Sequence, residues 1–387
     1  MLLPGIYLFI LLAFVKSYQP NFKAQTIDDN VSIGYGLALG DVDGDGKPDI
    51  LLADEKQFVW YRNGDWKKFV MAESLTEHDN VCIAARDING DGKVEVAVGA
   101  QWNPSETSNA EQSGAVYYLI RPDDPTQLWK AIKLYHEPTI HRMQWYKSSG
   151  GKAYLIVAPL HGIGNKNGEG AGVNILIFEY PKDVNSEWQV HKLASNMHLT
   201  HNFEIMESGD KSKSGFYLAG KEGVKFIKES SFTASNPEID QLPSMDSAAG
   251  EIRIGKGFSK ESFVATIEPM HGGNLVVYPG DAGHQSKILD DNLREGHALA
   301  TGDFLGSGND QVVAGWRVPN RDSLVGIKLF VEKNGNGTGW DSHWIDKNGM
   351  ACEDMKIMDL DLDGKPDIIA SGRATHNLKI YWNRSGK

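Results

Sequence analysis

The stretch Asp41-Val42-Asp43-Gly44-Asp45-Gly46-Lys47-Pro48-Asp49, running into Ile50-Leu51-Leu52-Ala53, decides the fold. Carboxylates at alternate positions aim oxygens at one centre, and the glycines let the backbone close around a hard cation. An EF-hand loop begins alike, but there a helix follows and a Glu sits at position twelve. Here a short apolar run follows at once, which reads as a strand. The motif recurs as Asp87-Ile88-Asn89-Gly90-Asp91-Gly92-Lys93-Val94-Glu95 and as Asp359-Leu360-Asp361-Leu362-Asp363-Gly364-Lys365-Pro366-Asp367. A degraded copy, Gly302 to Asp310, precedes Val312-Val313-Ala314-Gly315. The expected ligands of structural Ca²⁺ are Asp41, Asp43, Asp45 and Asp49, then Asp87, Asn89, Asp91 and Glu95, then Asp359, Asp361, Asp363 and Asp367.

The repeated loop measures the rest of the chain. Each unit reads as four short strands: strand a ends in the loop, strand b is apolar, strand c is often aromatic, and strand d follows a Trp-x-x-(Lys/His)-x-apolar pattern. The period is roughly 45 to 60 residues, the signature of an all-β propeller. Seven units are expected, the fourth of them weakly marked. The seventh lacks strand d, and Phe22-Lys23-Ala24-Gln25-Thr26-Ile27-Asp28 carries the strand-d pattern. That segment is expected to complete the seventh blade and leave no open edge.

The 387 residues are 41% hydrophobic and carry a net charge of −12, enough apolar material for a large core and no basic surplus for nucleic acid. Residues Leu2 to Val15 are apolar but too short to span a bilayer comfortably. With small residues near Val15-Lys16-Ser17, residues 1–17 read as a secretory signal peptide, although no Lys or Arg precedes the apolar run. The expected product is a secreted or periplasmic propeller over residues 18–387 with no membrane span; its oligomeric state is open. Cys82 and Cys352 fall at equivalent places in units two and seven, too far apart for a disulfide, and read as buried free thiols.

In a propeller strand a lines the central channel, so the a–b loops share one face and the b–c and d–a turns share the other. Most of the twelve histidines fall on the second face. His78, His141, His198, His201 and His297 stand at or before the start of strand a, and His161 and His271 lie in b–c turns. Trp102, Lys221, Trp316, Arg317 and Arg373 occupy other b–c turns. Imidazoles from neighbouring blades suit Zn²⁺ or a similar divalent ion with an open position. Guanidinium and indole groups beside them suit a carbohydrate, binding hydroxyls or a carboxylate and stacking on the ring. No Gly-x-Ser-x-Gly elbow or nucleotide loop is present. Glu77, Glu268, Glu295 and Glu353 share the face without forming a secure glycosidase pair.

The Asp loops of units one, two, six and seven resemble FG-GAP or VCBS-type repeats, which implies the fold and says little about activity. Ile33-Gly34-Tyr35-Gly36-Leu37, Ile140-His141-Arg142, His198-Leu199-Thr200-His201-Asn202-Phe203-Glu204, Ala219-Gly220-Lys221-Glu222-Gly223-Val224 and Met270-His271-Gly272-Gly273-Asn274 occur in order. Together they resemble the propeller domain of aldos-2-ulose dehydratase, also called 1,5-anhydro-D-fructose dehydratase. That resemblance implies removal of water from a keto sugar and a metal ion held by His141, His201 and His271. The resemblance covers the family's propeller and does not extend to its downstream cupin domains.

Elimination beside a carbonyl needs a Lewis acid, a base for the α-proton and an acid for the leaving oxygen. The candidates for base and acid are His78, His161, His198, His297 and Tyr35. Trp102, Lys221, Trp316, Arg317 and Arg373 are the candidates for substrate binding. The leading expectation is a carbon–oxygen lyase acting on a keto sugar or a uronate-containing saccharide. The alternatives are a non-catalytic, calcium-stabilised propeller that binds carbohydrate or protein, and a glycoside hydrolase using the same face.

Overall fold

The computed structural model describes residues 19–257, 262–280, 285–333, 337 and 339–386. The expected signal peptide, residues 1–17, lies outside the described residues. Twenty-eight strands form seven antiparallel sheets of four. The innermost strand of each sheet is β2 (Gly36–Gly40), β6 (Cys82–Arg86), β10 (Ile140–Lys147), β14 (Thr200–Met206), β18 (Glu251–Lys256), β22 (Gly296–Gly302) or β26 (Cys352–Met358). Each of these touches the next in order, and β26 returns to β2, so the sheets close into a seven-bladed ring.

Burial explains the strand composition. The second strand of a blade is sandwiched between two neighbouring sheets, so both its faces are covered. Asp49–Ala53, Glu95–Ala100 and Asp367–Gly372 are accordingly buried at every position. Continuous apolar runs, not alternation, are what such strands require. Seven apolar clusters follow, one at each blade boundary; Trp60 and Trp129 sit between blades one and two, and Leu37 and Ile380 sit between blades one and seven.

The seventh blade is completed from the other end of the chain. Strand β1 (Phe22–Asp28) pairs antiparallel with β28 (Asn377–Asn383), Phe22 opposite Asn383 and Thr26 opposite Lys379. The match continues past the strand, where the Asn21 amide donates to Ser385 Oγ and the Arg384 amide to the Asn21 carbonyl. The expected closure is present with the boundaries read from the sequence. Blade four has its outer strand too, but only as Ile239–Gln241, which is why its pattern is faint. In the first blade the outer strand runs over Lys68–Glu73 and leaves out Trp66, where the strand-d pattern opens, because Trp66 takes a positive φ of 52°. Cys82 and Cys352 are buried and free.

The Asp loops stand at the far ends of the inner strands and differ from one another. In the first, Asp41 accepts from the Gly44 and Gly46 amides at 2.6 and 2.8 Å, and Gly44 adopts φ 85°. Oxygens of Asp41, Asp43 and Asp45 lie within 4.8 Å of one another. Asp49 is not one of that group. It is fully buried and accepts from the Val42 and Asn63 amides, both at 2.8 Å, so it closes the loop's base; burial raises its pKa to about 7.

In the second loop Asp87, Asp91 and Glu95 do not gather. The longer Glu95 side chain turns to the Ile88 amide and to Asn89 Nδ2, both at 2.7 Å, and Arg121 draws Asp91 aside. In the loop after β26, Asp359, Asp361 and Asp367 gather without Asp363, and Arg384 reaches both Asp361 at 2.7 Å and Asp363 at 3.4 Å.

Candidate functional site

At the opposite ends of the inner strands the ladders are interrupted in a regular way. Ile140 pairs with Pro159 and Arg142 with Ala158, so His141 has no partner. The same slip leaves out His201, between Thr200 and Asn202. It leaves out His297, between Gly296 and Ala298, and Glu353, between Cys352 and Asp354. Four inner strands thus carry a β-bulge at their second residue, and a bulge re-aims the side chain it carries. Blades one, two and five run in unbroken register at this point. Blade five contributes His271 instead, from the turn between Ser262–Glu268 and Asn274–Pro279. There His271 itself has φ 47°, and the next residue is held to glycine because a Cβ on Gly272 would meet the Glu268 carbonyl at 2.1 Å.

The result is a chain of rings around the channel mouth. Trp102 stacks on His141 with centroids 5.1 Å apart. His141 is 4.7 Å from His201, His201 is 4.4 Å from His271, and His271 is 4.7 Å from His297. Each bulge imidazole is fastened to the following blade. Nδ1 of His141 bonds the His201 carbonyl at 2.9 Å, Nδ1 of His201 bonds the Gly250 carbonyl at 2.9 Å, and Nδ1 of His297 bonds the Glu353 carbonyl at 2.6 Å. A carbonyl can only accept, so these three rings carry the proton on Nδ1 and turn an Nε2 lone pair elsewhere. His201 Nε2 therefore accepts, and His271 Nε2 donates to it at 2.6 Å.

Ring nitrogens of His201, His271 and His297 lie within 4.8 Å of one another, one from each of three blades. His141 is not in this group, against the ligand set that the resemblance implied. Its Nε2 accepts from Arg142 Nη1 at 3.1 Å. His297, which sequence reasoning placed among the proton-transfer candidates, takes its place. The bulges supply the reason: nothing in residue spacing shows which ring will face a guanidinium.

Three of the imidazoles are kept neutral. Burial lowers the pKa of His271 to about 2, helped by the neighbouring His201 and by the charges of Arg317 and Arg142. Burial also holds His141 and His297 well below the usual range, reinforced by Arg142 beside the first and Arg317 near the second. Neutral nitrogens suit a metal, and hydrogen bonds that fix the opposite ring nitrogen are the usual support of metal-bound histidine. Two imidazoles on one tetrahedral Zn²⁺ stand about 3.3 Å apart. To share one ion, the 2.6 Å pair would have to part by under about 1 Å and His271 would have to move its proton from Nε2 to Nδ1.

An ionic half-ring faces the imidazoles. The buried Glu353 carboxylate accepts from Arg317 Nη1 at 3.0 Å and from Arg373 Nη1 at 3.2 Å, and Arg317 also grips Glu295 at 2.7 Å. Arg373 lies over the ring of Tyr35, whose hydroxyl donates to Asp79 at 3.1 Å. Beneath His201, Glu251 is fully buried. Desolvation pushes its pKa up, but His201, 3.3 Å away, and the Arg253 charge outweigh this and hold it at about 2.

Several expected residues stand apart. His78, His161 and His198 are not in the imidazole group. His161 Nδ1 is buried without a hydrogen-bond partner, and His198 Nδ1 is 2.7 Å from Glu222. Lys221 binds the Gly168 carbonyl at 2.9 Å. Trp316 is no sugar platform. It is fully buried at a blade boundary with its indole N–H on the Leu324 carbonyl, leaving no face to a ligand. Glu353 and Arg142 are the residues whose roles the sequence did not reveal. The only signal was that Glu353 takes the place in unit seven that His141, His201 and His297 take in theirs.

Residues 41–98 match the FG-GAP-like repeat and residues 83–119 the FG-GAP repeat. No curated protein matches the chain. Among solved structures, a chain of the Mitotic Checkpoint Complex is similar, with a TM-score of 0.58 at 10% identity over 98% of this chain and 96% of that one. BBS1N, from its complex with ARL6DN, gives a TM-score of 0.55 at 13% identity over 95% and 96%. The extracellular domain of BT3049 from B. thetaiotaomicron gives 0.51 at 13% identity, over 94% of this chain and 41% of that one. At these identities the likeness is one of fold.

Proposed function

We propose that this propeller binds a divalent metal ion through His201, His271 and His297 and acts as a carbon–oxygen lyase on a keto sugar or a uronate-containing saccharide. The observation that carries the reading is the convergence of three imidazole nitrogens, one from each of three blades, within 4.8 Å. A divalent ion there would supply Lewis acidity toward an enolate. The chain's own residues hold and surround that position. Nδ1–H bonds to the Gly250 and Glu353 carbonyls hold two of the rings in orientation. Glu251, behind His201, raises that imidazole's basicity as a ligand. Trp102 offers an indole beside His141, and the half-ring of Arg317, Arg373 and Tyr35 offers polar donors across the mouth.

The test is metal analysis of the purified protein together with His201→Ala, His271→Ala and His297→Ala, followed by mass spectrometry after incubation with keto sugars and uronates. Loss of bound metal and of a water-loss product in each variant is expected. Full metal content in all three would refute the site. A second reading, a binding propeller without turnover, draws on the separation of His78, His161 and His198 from the imidazole group. It predicts saccharide binding with no change in ligand mass, whereas a gain of water would mark hydrolysis.

A further inference from the structure

Glu353 joins the two halves of the mouth. Its backbone carbonyl holds the His297 ring, and its buried carboxylate holds Arg317 and Arg373. The two guanidiniums are nevertheless unlike. Arg317 is 14% exposed and committed throughout: Nε and Nη2 go to Glu295 and Nη1 to Glu353. Arg373 is 43% exposed and gives only Nη1 to Glu353. Its Nε and Nη2 donate to no protein group among the described residues, while the Tyr35 ring, 5.5 Å away, and the Glu353 bond fix where the guanidinium stands. Arg142 also keeps N–H groups in reserve, but it lines the channel below, a cavity of about 410 Å³.

A positioned guanidinium with a free edge is a planar fork, and its complement is a carboxylate bound through both oxygens. We infer that Arg373 is the carboxylate anchor of this mouth and that the ligand is an acidic saccharide, a uronate, in preference to a neutral keto sugar. The inference rests on the saccharide reading above and narrows it. Glu353 is the positioning residue: its carboxylate holds Arg317 and one nitrogen of Arg373, leaving Nε and Nη2 of Arg373 unused, while its carbonyl holds the His297 ring. A ligand spanning the site places its carboxylate on Arg373 and an oxygen next to the imidazoles.

Binding of oligogalacturonate and oligoglucuronate is measured by calorimetry against the same sugars with the acid reduced to the alcohol. Wild-type protein is expected to favour the acids by about 10- to 100-fold, the range for hydrogen bonds to a charged group. Arg373→Gln should remove that preference while leaving metal content and thermal unfolding unchanged, and Arg373→Lys, which keeps the charge without the fork, should restore only part of it. Equal affinity for acid and reduced sugars, or a preference that survives in Arg373→Gln, overturns the anchor and leaves the metal site standing. Failure of the wild-type protein to bind metal or any of the sugars overturns both readings.

Discussion

Replacing His271 with Asn tests how burial holds that imidazole neutral. Asn tolerates the left-handed backbone that His271 occupies at φ 47°, so the turn is kept while the titrating group goes. In the folded chain burial lowers the His271 pKa to about 2, from 6.5 when unfolded. A depressed folded pKa means that the unfolded chain binds the proton more readily. His271 therefore contributes stability that is present above about pH 6.5 and is lost as the pH falls below it. Between about pH 7 and pH 5.5 the linkage relation gives a loss of about 1.3 kcal/mol for one such group.

The wild-type curve alone would not reveal this loss. Burial raises Asp49 to about 7 and Asp367 to about 6, and these two gain stability over the same window as the pH falls. The difference between wild type and His271→Asn cancels them. Urea unfolding of both proteins, in chelator, at about pH 7 and pH 5.5 should show that difference shrinking by about 1 kcal/mol on acidification. Parallel curves would refute the account, because they would mean that His271 charges as easily in the folded mouth as in water.

Three further outcomes are expected. Calcium at about a hundredfold excess over its Kd should stabilise by about 2.7 kcal/mol for each loop that gathers carboxylates, those at Asp41 and Asp359; denaturation curves identical with and without chelator would show those loops to be empty. Leu362, 62% exposed, holds φ 58° where the first two loops have Gly44 and Gly90. Leu362→Gly should raise the unfolding free energy by about 0.5–1 kcal/mol, the left-handed penalty less the added freedom of the unfolded chain; a lower denaturation midpoint would count against that. Trp316→Ala should cost about 3–5 kcal/mol in denaturant unfolding and leave saccharide affinity of the folded protein intact, and selective loss of binding would restore it to the site.

The fold was legible because the Asp loop marks one place in each of several units, and the segment Phe22 to Asp28 has a pattern with no other home. Blade four was faint because its outer strand is three residues long, too short to carry a period. The histidine mouth was legible as a face, since strand starts and strand ends must lie on opposite sides of a ring. Its inner arrangement was not. A bulge shifts pairing by one residue without altering composition, so His141 and His297 read alike until Arg142 is seen to occupy one of them. Trp316 misled for a related reason, because an aromatic at a strand end reads the same whether its ring enters a blade boundary or faces water. Asp49 and Asp367 were read as ligands from their place in the loop; both sit at its base bonded to backbone amides, and only Asp367 also joins a carboxylate group.

The pairing of Phe22–Asp28 with Asn377–Asn383 has a consequence for the order of assembly. Among the described strands, the first to be synthesised waits for the last. Six blades can stack while the seventh is still a bare sheet with one side unmatched, and the ends to be joined are far apart along the chain. Stacking changes that distance, because each finished blade carries the next around the axis until the two segments lie side by side. Closure is then a short docking step with little loop entropy left to lose. Chain growth, not diffusion, should time the formation of that seam, and amide exchange along Phe22–Asp28 measures how readily the finished ring reopens there.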